Sequence, residues 1–425
     1  MSRRFVNLMV DRIISHRAAS TLHLINPWRC FYPTTTQASA AANNKTIITE
    51  DAHLPRAAIS FYEPCSQDVL CDIRFMSLGR SSNDIISMDH EGNTFLYDAA
   101  ARAVRVLPMP HAPKLSPVSL TVGDGLYLLN GDPGQQEDHP FEALIHCGPS
   151  ANPIDDRSDE KWYWRSLPPP PCAFDYEDDN ERYRRRGYEI GAYTVVGDSQ
   201  IWISTEGGGT FSRADYGARL LRCSAYSVIG AGGGDRKTQL VASVSCVGWA
   251  AGVLKIRWGP AHPGPPVASP LTFSFNTTSG VWSKAGEWAL PFSGRVEYAP
   301  EHGLWFGFSS QGKHFAACDL GAVSATRPPV LLKMWDELAP PLPKRWVMVS
   351  SYLLPLDGGK FCIPRIFDMA GEGWCREKNG NDFMRVDGFA VFTGVEVERG
   401  SRGALRMIKH MSRRYSFGCR MARVV

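Results

Sequence analysis

The chain has 425 residues, of which 21% are charged, and its formal net charge is only +3. So small a net charge argues against a nucleic-acid-binding or membrane-surface protein, which would carry a strongly basic, clustered surface. Hydrophobic residues make up 44%, enough for a sizeable core. No apolar run approaches the roughly eighteen residues of a membrane-spanning helix.

The N-terminal segment is basic, with four arginines in residues 1–17 against one acid, Asp11. Such a start weakly resembles a mitochondrial presequence. The apolar run at residues 5–10 instead favours a first β-strand flanked by charges. We expect the strand.

Two segments align with each other, residues 97–104 (YDAAARAV) and 275–282 (FNTTSGVW). Each has an aromatic residue, then Asp98 or Asn276, then small turn-forming residues, then a large apolar residue seven positions after the aromatic. An Asp or Asn side chain in this position bonds to nearby backbone N–H groups of a turn. Both segments therefore predict a β-hairpin.

A second element recurs: a glycine-containing turn precedes an apolar strand that bears aromatic residues. It occurs at residues 123–129, 197–203, 302–308 and 357–363. Alternating or β-rich segments precede the first two of these turns. Three or four short antiparallel strands in a repeated unit are typical of a propeller blade.

We therefore predict an all-β, β-propeller-like fold with about six degenerate blades, in one domain that spans residues 1–425. Helical periodicity extends no further than two turns anywhere. A pair of β-sandwiches is the alternative. The predicted units cover residues 5–60, 70–110, 116–168, 190–292, 294–338 and 345–415.

Residues 168–189 interrupt this pattern as a proline-rich and charged loop. Four prolines are followed by an acidic block and then by an arginine-rich block. Adjacent blocks of opposite charge are typical of a solvated loop, and the proline run of a stiff connector. A docking site is the alternative.

We predict that residues 212–273 are an insertion within the fourth blade. The tripeptide Thr-Phe-Ser occurs at 210–212 and again at 272–274, and seven Lys/Arg against two Asp in residues 212–273 give a net charge of +5. Joining Phe211 directly to Ser274 restores the strand–turn–strand unit. We expect this segment to be poorly ordered, and favour a retained intron or a gene-model error over a functional loop.

No catalytic, cofactor-binding or metal-binding residues are predicted. The sequence lacks GxSxG, and the Gly207–Gly209 run precedes a predicted strand where a Walker A loop needs a helix. Eleven histidines form no HxH or HExxH pattern, and we expect a turn role for His302. Eleven cysteines without a CxxC pair favour buried, reduced thiols. Paired carboxylates distant in sequence are left open.

The tryptophans fall at or near predicted strands. We expect most to pack between blades and a few to form a binding platform on a loop face. These residues are Trp162, Trp164, Trp202, Trp282, Trp288, Trp305, Trp335 and Trp346.

Residues 162–171, 192–204 and 300–308, together with the start at 1–5, resemble a plant family of uncharacterised proteins, domain of unknown function 1668, which is expanded in grasses. The resemblance covers nearly the whole chain and implies a kelch-type propeller. The Tyr-Asp…Trp half of a kelch unit is visible here, while the paired-glycine half is degraded. Residues 212–273 have no counterpart in the family pattern. The family implies no activity.

From this architecture we expect a non-catalytic, protein-binding propeller, a scaffold or adaptor, that is monomeric and cytoplasmic or nuclear. Its partner would be an unidentified protein, with no nucleic acid or membrane. The alternative is an enzyme that acts on a carbohydrate or small molecule in the central pocket; a third reading is a decayed family member. Clustered, desolvated acids or a His/Cys metal set in the channel would favour the enzyme. An aromatic patch on a loop face would favour the binder.

Overall fold

A computed structural model places these elements in space. It describes residues 4–14, 17–43, 49–62, 73–79, 84–114, 117–131, 138–147, 161–174, 189–206, 223–229, 239–245, 251–257, 270–338, 346–376, 382–400, 403–418 and 422–425.

The described secondary structure is almost entirely strand, with one α-helix, α1 (Thr35–Asn43), and short 3-10 helices at Pro27–Cys30, Pro171–Phe174 and Asp336–Leu338. In chain order the strands are β1 (Val6–Ile14), β2 (Arg17–Ile25), β3 (Thr49–Ala52), β4 (Ile59–Tyr62), β5 (Arg74–Leu78), β6 (Asp84–Met88), β7 (Thr94–Asp98), β8 (Ala103–Leu107), β9 (Val118–Val122), β10 (Gly125–Leu129), β11 (Phe141–Cys147), β12 (Lys161–Ser166), β13 (Glu189–Val196), β14 (Gln200–Glu206), β15 (Cys223–Ile229), β16 (Gln239–Ser245), β17 (Ala251–Arg257), β18 (Thr272–Asn276), β19 (Val281–Gly286), β20 (Phe292–Ala299), β21 (Leu304–Ser309), β22 (Phe315–Cys318), β23 (Leu331–Trp335), β24 (Trp346–Ser351), β25 (Leu354–Pro355), β26 (Lys360–Arg376), β27 (Asp382–Arg399), β28 (Leu405–Gly418) and β29 (Ala422–Val424).

The chain divides into two compact units. The four-sheet unit consists of Met1–Arg3, Asp72–Gly209 and Val267–Trp335, and the terminal unit of Arg4–Cys71, Thr210–Pro266 and Asp336–Val425. Each is described by itself below. The assignment of residues 1–425 to one domain stays a prediction.

The four-sheet unit contains four meanders of four antiparallel strands: β5–β8, β9–β12, β13-β14-β18-β19 and β20–β23. A short parallel pairing of Ala192 and Tyr193 with Gly294 and Arg295 links β13 to β20. The second and third strands of each meander are largely buried, whereas the fourth strands β8, β19 and β23 are largely exposed. Four-stranded antiparallel meanders with buried middle strands and an exposed last strand are typical of propeller blades. They confirm the all-β, propeller-like prediction.

Successive sheets of this unit pack face to face through large apolar side chains. Phe141 of the second sheet meets Phe275 of the third edge to face, with ring centroids 4.9 Å apart. The indole N–H groups complete these contacts: Trp164 donates to Pro108 O at 2.8 Å, and Trp282 to Pro168 O at 2.8 Å. Each bond joins one sheet to the end of the preceding one. Packing between sheets is thus the main role of these tryptophans, as predicted.

The predicted turn chemistry is present in full. Asp98 Oδ1 accepts from the backbone N–H groups of Ala100 and Ala101, both at 2.8 Å, in the turn from β7 to β8. Asn276 Oδ1 accepts from the N–H groups two and three residues later, at 2.9 and 3.0 Å, in the turn from β18 to β19. The glycine turns contain left-handed residues, such as Gly197 at φ +64°, a conformation that costs other residues a steric clash.

In the third sheet, two neighbouring strands are separated in the chain by residues 207–271. Strands β14 and β18 are direct antiparallel neighbours, and Thr205 N donates to Leu271 O at 2.9 Å where they part. β18 is a whole strand built from the second Thr-Phe-Ser copy, residues 272–274. The first copy, residues 210–212, lies outside the described residues. Between the copies, β15, β16 and β17 form an antiparallel three-stranded sheet; the origin of this segment stays a prediction.

The terminal unit contains the sheets β29-β1-β2-β4 and β24-β26-β27-β28-β3, to which β25 adds beside β26. They correspond to the first and last predicted repeats, and β1 confirms the predicted N-terminal strand. Both chain ends meet here, because Leu8 in β1 pairs with Val424 in β29. Val6, Leu8 and Val10 of the first sheet share one buried cluster with Phe392 and Tyr415 of the second.

Two further sequence expectations can be compared with the described residues. The side chains of Cys30, Cys172, Cys318 and Cys362 are buried, as predicted, while Cys147 is exposed. Burial, helped by Asp319, raises the pKa of Cys318 to about 12, which keeps this thiol protonated. In the described part of the chain, no helix combines the length and apolar content needed to cross a membrane.

Candidate functional site

The inner strands of the four-sheet unit are where a propeller places a central pocket, and the two charges of the inner strand β20 are paired with each other. Arg295 Nε lies 2.6 Å from Glu297 Oε1, both on β20. Glu297 raises the pKa of Arg295 although burial opposes it, and Tyr193, its neighbour on β13, adds to the effect. Thr194 Oγ1 donates to Val296 O at 2.8 Å and ties the two inner strands together. The charge of Glu297 is therefore balanced by Arg295.

Two carboxylates do lie side by side on the second and third strands of the first meander. Asp84 on β6 is directly opposite Asp98 on β7. Burial raises the pKa of Asp84 and the charge of Asp98 raises it further, while Arg105 acts against both. Asp98, however, is committed to the hairpin turn through its two backbone bonds. In the described residues, no group of three or more His, Cys, Asp or Glu side chains is placed to hold a metal ion.

The most heavily buried charges of the four-sheet unit centre on Glu142, the second residue of β11. Its side chain is fully buried, and so is that of Lys114, which donates to Glu142 Oε2 and to Ala112 O. His111 adds two bonds to Glu142 Oε1, from its backbone N–H at 3.0 Å and from its ring Nδ1 at 2.5 Å. Lys114 and His111 lie on the connection from β8 to β9, which the prolines at 108, 110 and 113 stiffen.

These partners decide the ionisation of Glu142. Burial raises the pKa of its carboxyl, but the hydrogen bonds from Lys114 and His111 outweigh burial and the net pKa is lowered. The group stays a carboxylate at neutral pH. Since both oxygens of Glu142 are occupied by protein donors, this cluster is a structural clamp between the first and second sheets.

The terminal unit contains a comparable network around Glu396 of β27. Lys360 Nζ lies 2.7 Å from Oε1, and the other oxygen accepts from Thr35 Oγ1 at 3.2 Å and His410 Nε2 at 3.1 Å. His410 Nδ1 in turn accepts from the Tyr32 backbone N–H at 3.2 Å. The imidazole is therefore neutral with its proton on Nε2, because a proton on Nδ1 would face the Tyr32 N–H. The network joins α1, β26, β27 and β28.

This network predicts a loss of stability in mild acid. Burial lowers the pKa of His410 although Glu396 opposes it, and the pKa of Glu396 is also lowered, because bonds from Lys360 and His410 outweigh burial. Both groups bind protons more readily in the unfolded chain. We expect the thermal midpoint to be level above about pH 7 and to fall below about pH 6.5, first through His410 and below about pH 4.5 through Glu396.

The measurement is thermal unfolding followed by circular dichroism between pH 4 and 8. His410→Gln keeps a donor and an acceptor and removes the titration. The slope of the free energy of unfolding against pH, between pH 5 and 6.5, should therefore flatten by up to about 1.4 kcal/mol per pH unit. His53→Gln, at an exposed position, should leave the profile unchanged. Equal slopes in wild type and His410→Gln would contradict the assignment.

The exposed apolar surface of the four-sheet unit is concentrated on two outer strands. On the first sheet Phe95 pairs with Val106, and Val104 lies on the same face. Val106 is 79% and Val104 51% exposed. Met109 follows in the chain and is also exposed. We call these four residues the β8 stripe.

The fourth sheet has a similar edge. Val330, Leu332 and Met334 alternate along β23 and its approach, and are 69%, 58% and 44% exposed. We call these three residues the β23 stripe. Together the two stripes contain seven of the eleven exposed large hydrophobic residues of the described chain. β8 and β23 also end their meanders, so that each has one edge without a strand partner in its sheet. An apolar strand with an open edge is a template for pairing with another chain.

The positions singled out in the sequence lie elsewhere. His302 is in the turn from β20 to β21, with its ring 5.7 Å from that of Phe306, which agrees with a turn role. The Gly207–Gly209 run and most of the 168–189 loop lie outside the described residues, which place only Pro171–Phe174 of that loop in an ordered turn of helix. The stripes were missed because Val104 and Val106 alternate as half-buried strand residues do.

A family model described as a protein of unknown function (DUF1668) matches residues 3–219 and 213–415. The second matched region runs across residues 213–273, against the expectation that this segment has no counterpart in the family. No curated protein matches the chain. Among solved structures, a protein from Lactobacillus plantarum is similar at 10% identity and a TM-score of 0.28, covering 84% of this chain and 99% of that one. The N-terminal domain of Nup159 is similar at 9% identity and a TM-score of 0.20, covering 64% of this chain and 74% of that one. Scores this low carry no argument about fold or function.

Proposed function

Because the chain belongs to the DUF1668 family of unknown function, its relatives supply no activity, and we propose that it is a non-catalytic, protein-binding scaffold or adaptor. The observation that carries the proposal is the pair of exposed apolar stripes on the outer strands β8 and β23. Such surfaces on a soluble domain are typical of sites that take a partner.

The chemistry of the stripes suggests how a partner binds. An extended segment can add to an open strand edge through main-chain hydrogen bonds, with alternate apolar side chains lying on the stripe. Val104 and Val106 on β8, or Leu332 and Met334 on β23, are spaced at every second residue for this contact. The partner segment would be β-prone and apolar at alternate positions.

The alternative, an enzyme acting on a carbohydrate or small molecule in the central pocket, has the Asp84–Asp98 pair in its favour. The raised pKa of Asp84 is of the kind that a general acid needs. Asp98 is less suitable, because its carboxylate already accepts two backbone bonds in a turn. We therefore place binding first. A cytoplasmic or nuclear location and a monomeric state belong to the same proposal.

The test uses displayed random peptides selected on the immobilised full chain. Affinities of the selected peptides are then measured for wild type and for Val106→Asp, Leu332→Asp and Val281→Asp. Val281 is a matched control, since it is 60% exposed on the outer strand β19 but belongs to neither stripe. A charge on the stripe should weaken binding at least about tenfold, or about 1.4 kcal/mol.

We expect the loss in Val106→Asp or Leu332→Asp and wild-type affinity in Val281→Asp. If all three variants bind alike, or if no selected peptide depends on either stripe, the stripes are not the binding surface. Circular dichroism of each variant shows whether the fold is kept.

A further inference from the structure

Two histidine rings lie together on the second sheet, beside the Glu142 clamp. The rings of His111 and His139 are stacked, with centroids 4.9 Å apart and planes inclined by 30°. His139 is exposed, and the side chain of His111 is 47% exposed although the carboxylate it contacts is fully buried. They come from different connections, His111 from the one before β9 and His139 from the one before β11.

Each ring uses its Nδ1 atom in a bond to the protein. His111 Nδ1 lies 2.5 Å from Glu142 Oε1, and His139 Nδ1 lies 2.8 Å from Ser166 Oγ. A carboxylate can only accept, so His111 Nδ1 carries a proton, and in the neutral ring the lone pair is then on Nε2. Ser166 can accept in the same way from His139. Within the described residues, neither Nε2 atom has a hydrogen-bond partner.

An imidazole whose Nδ1–H donates to a carboxylate or hydroxyl, with Nε2 left for a ligand, is the arrangement of metal-binding histidines in proteins. The outer partner holds the ring in orientation and makes Nε2 a better donor. Here the outer carboxylate is itself fixed, because Lys114 holds Glu142 from its other oxygen.

The backbone at His139 supports a special role for this position. Its φ is +54°, in the left-handed region, and Pro140 follows it. A residue before proline is restricted to extended conformations, so this placement is strained. The other two non-glycine residues with positive φ in the described chain, Arg102 and Lys313, lie in hairpin turns where such values are ordinary.

We propose that His111 and His139 form a two-histidine site for a borderline divalent transition-metal ion such as Zn²⁺, with solvent completing the coordination. Imidazole nitrogen suits Zn²⁺, Cu²⁺ and Ni²⁺ better than it suits Mg²⁺ or Ca²⁺. The ion bridges the connections before β9 and β11. It would therefore lock the clamp between the first and second sheets from the solvent side.

The probe is Zn²⁺ alone, titrated into the full chain by isothermal calorimetry at pH 7.5. Cys147→Ser is included in every protein, because Cys147 is an exposed thiol on β11 that would compete for the metal. His111→Ala and His139→Ala are compared with His53→Ala, an exposed histidine outside the pair. Ser166→Ala tests the outer partner of His139.

One equivalent of Zn²⁺ should bind to the Cys147→Ser protein and raise its thermal midpoint. Either alanine substitution in the pair should remove that equivalent and the rise in midpoint, and Ser166→Ala should weaken binding about tenfold. His53→Ala should change nothing. Absence of the equivalent, or an equal loss in His53→Ala, would overturn the proposal. So would Mg²⁺ binding as tightly as Zn²⁺.

Discussion

Replacing Lys114 with methionine is expected to lower the free energy of unfolding by about 3–5 kcal/mol. Methionine fills much the same space but leaves the Glu142 carboxylate buried without its cation. The remaining bonds from His111 satisfy one oxygen, while the other would face an apolar side chain. Urea unfolding at pH 7.5 measures the effect. Because protonation removes the buried charge, the deficit should shrink as the pH falls toward 5.

Two comparisons distinguish burial of charge from loss of packing. Lys284→Met breaks an ion pair with Glu287 in which both side chains are well exposed, so it should leave the midpoint of unfolding where it is. The double variant Lys114→Met with Glu142→Gln removes both charges, and it should recover much of the stability lost in Lys114→Met alone. A Lys114→Met protein as stable as wild type would show that the pair is not a clamp.

Replacing Gly394 with alanine is expected to cost about 3 kcal/mol, the upper part of the range for overpacking. A Cβ at this position in β27 would lie 2.4 Å from the backbone oxygen of Cys30 and 3.2 Å from the ring of Phe31. Cys30 ends a 3-10 helix that is held in place by the Asn26 cap and by a bond from Cys30 Sγ to Phe392 O. Backbone that is fixed at both ends cannot yield as a flexible side chain can.

Gly400→Ala is the matched control. Gly400 follows the same strand, and an added Cβ meets its nearest neighbour, Ala404 O, at an ordinary 3.5 Å. We expect little change there in thermal or urea unfolding. If Gly394→Ala and Gly400→Ala are equally stable, the Pro27–Cys30 helix does not lie as close to β27 as described.

Turns were the part of the fold most accessible from sequence, because their chemistry is local. Asp98 and Asn276 bond to N–H groups two and three residues away, and Gly197 supplies a left-handed turn by itself. Each such turn joins neighbouring strands of a meander. The repeated turns therefore marked out the four meanders of the four-sheet unit and the start of β26, but not the sheet β29-β1-β2-β4.

The interrupted third sheet shows the limit of this reasoning. The sequence predicts a broken strand here, with Phe211 and Ser274 as the two ends that residues 212–273 separate. In the structure the second copy forms β18, with Thr272 beside Ser204 of β14. The pairing of the second copy with β14 is a long-range contact, which local turn chemistry does not encode.

The polar clusters were beyond sequence reasoning for the same reason. Lys114 and Glu142 are 28 residues apart, and Lys360, Glu396 and His410 span three strands. No fixed spacing marks such groups, since each is brought to the others by the pairing of separate strands. The three prolines before Lys114 were the available signal that its connection is rigid.

By itself, the sequence determined the all-β class, the repeat and the turn residues, because strand alternation and turn capping act over fewer than about ten residues. Tertiary structure alone decided which charges are buried together, that Gly394 must leave room for Cys30, and that the valines of β8 face solvent. These outcomes depend on which strand is the last of its sheet, as β8 is, and on which backbone segments lie against each other, as Cys30 does against β27. Such distances are set by packing between segments that the chain keeps far apart.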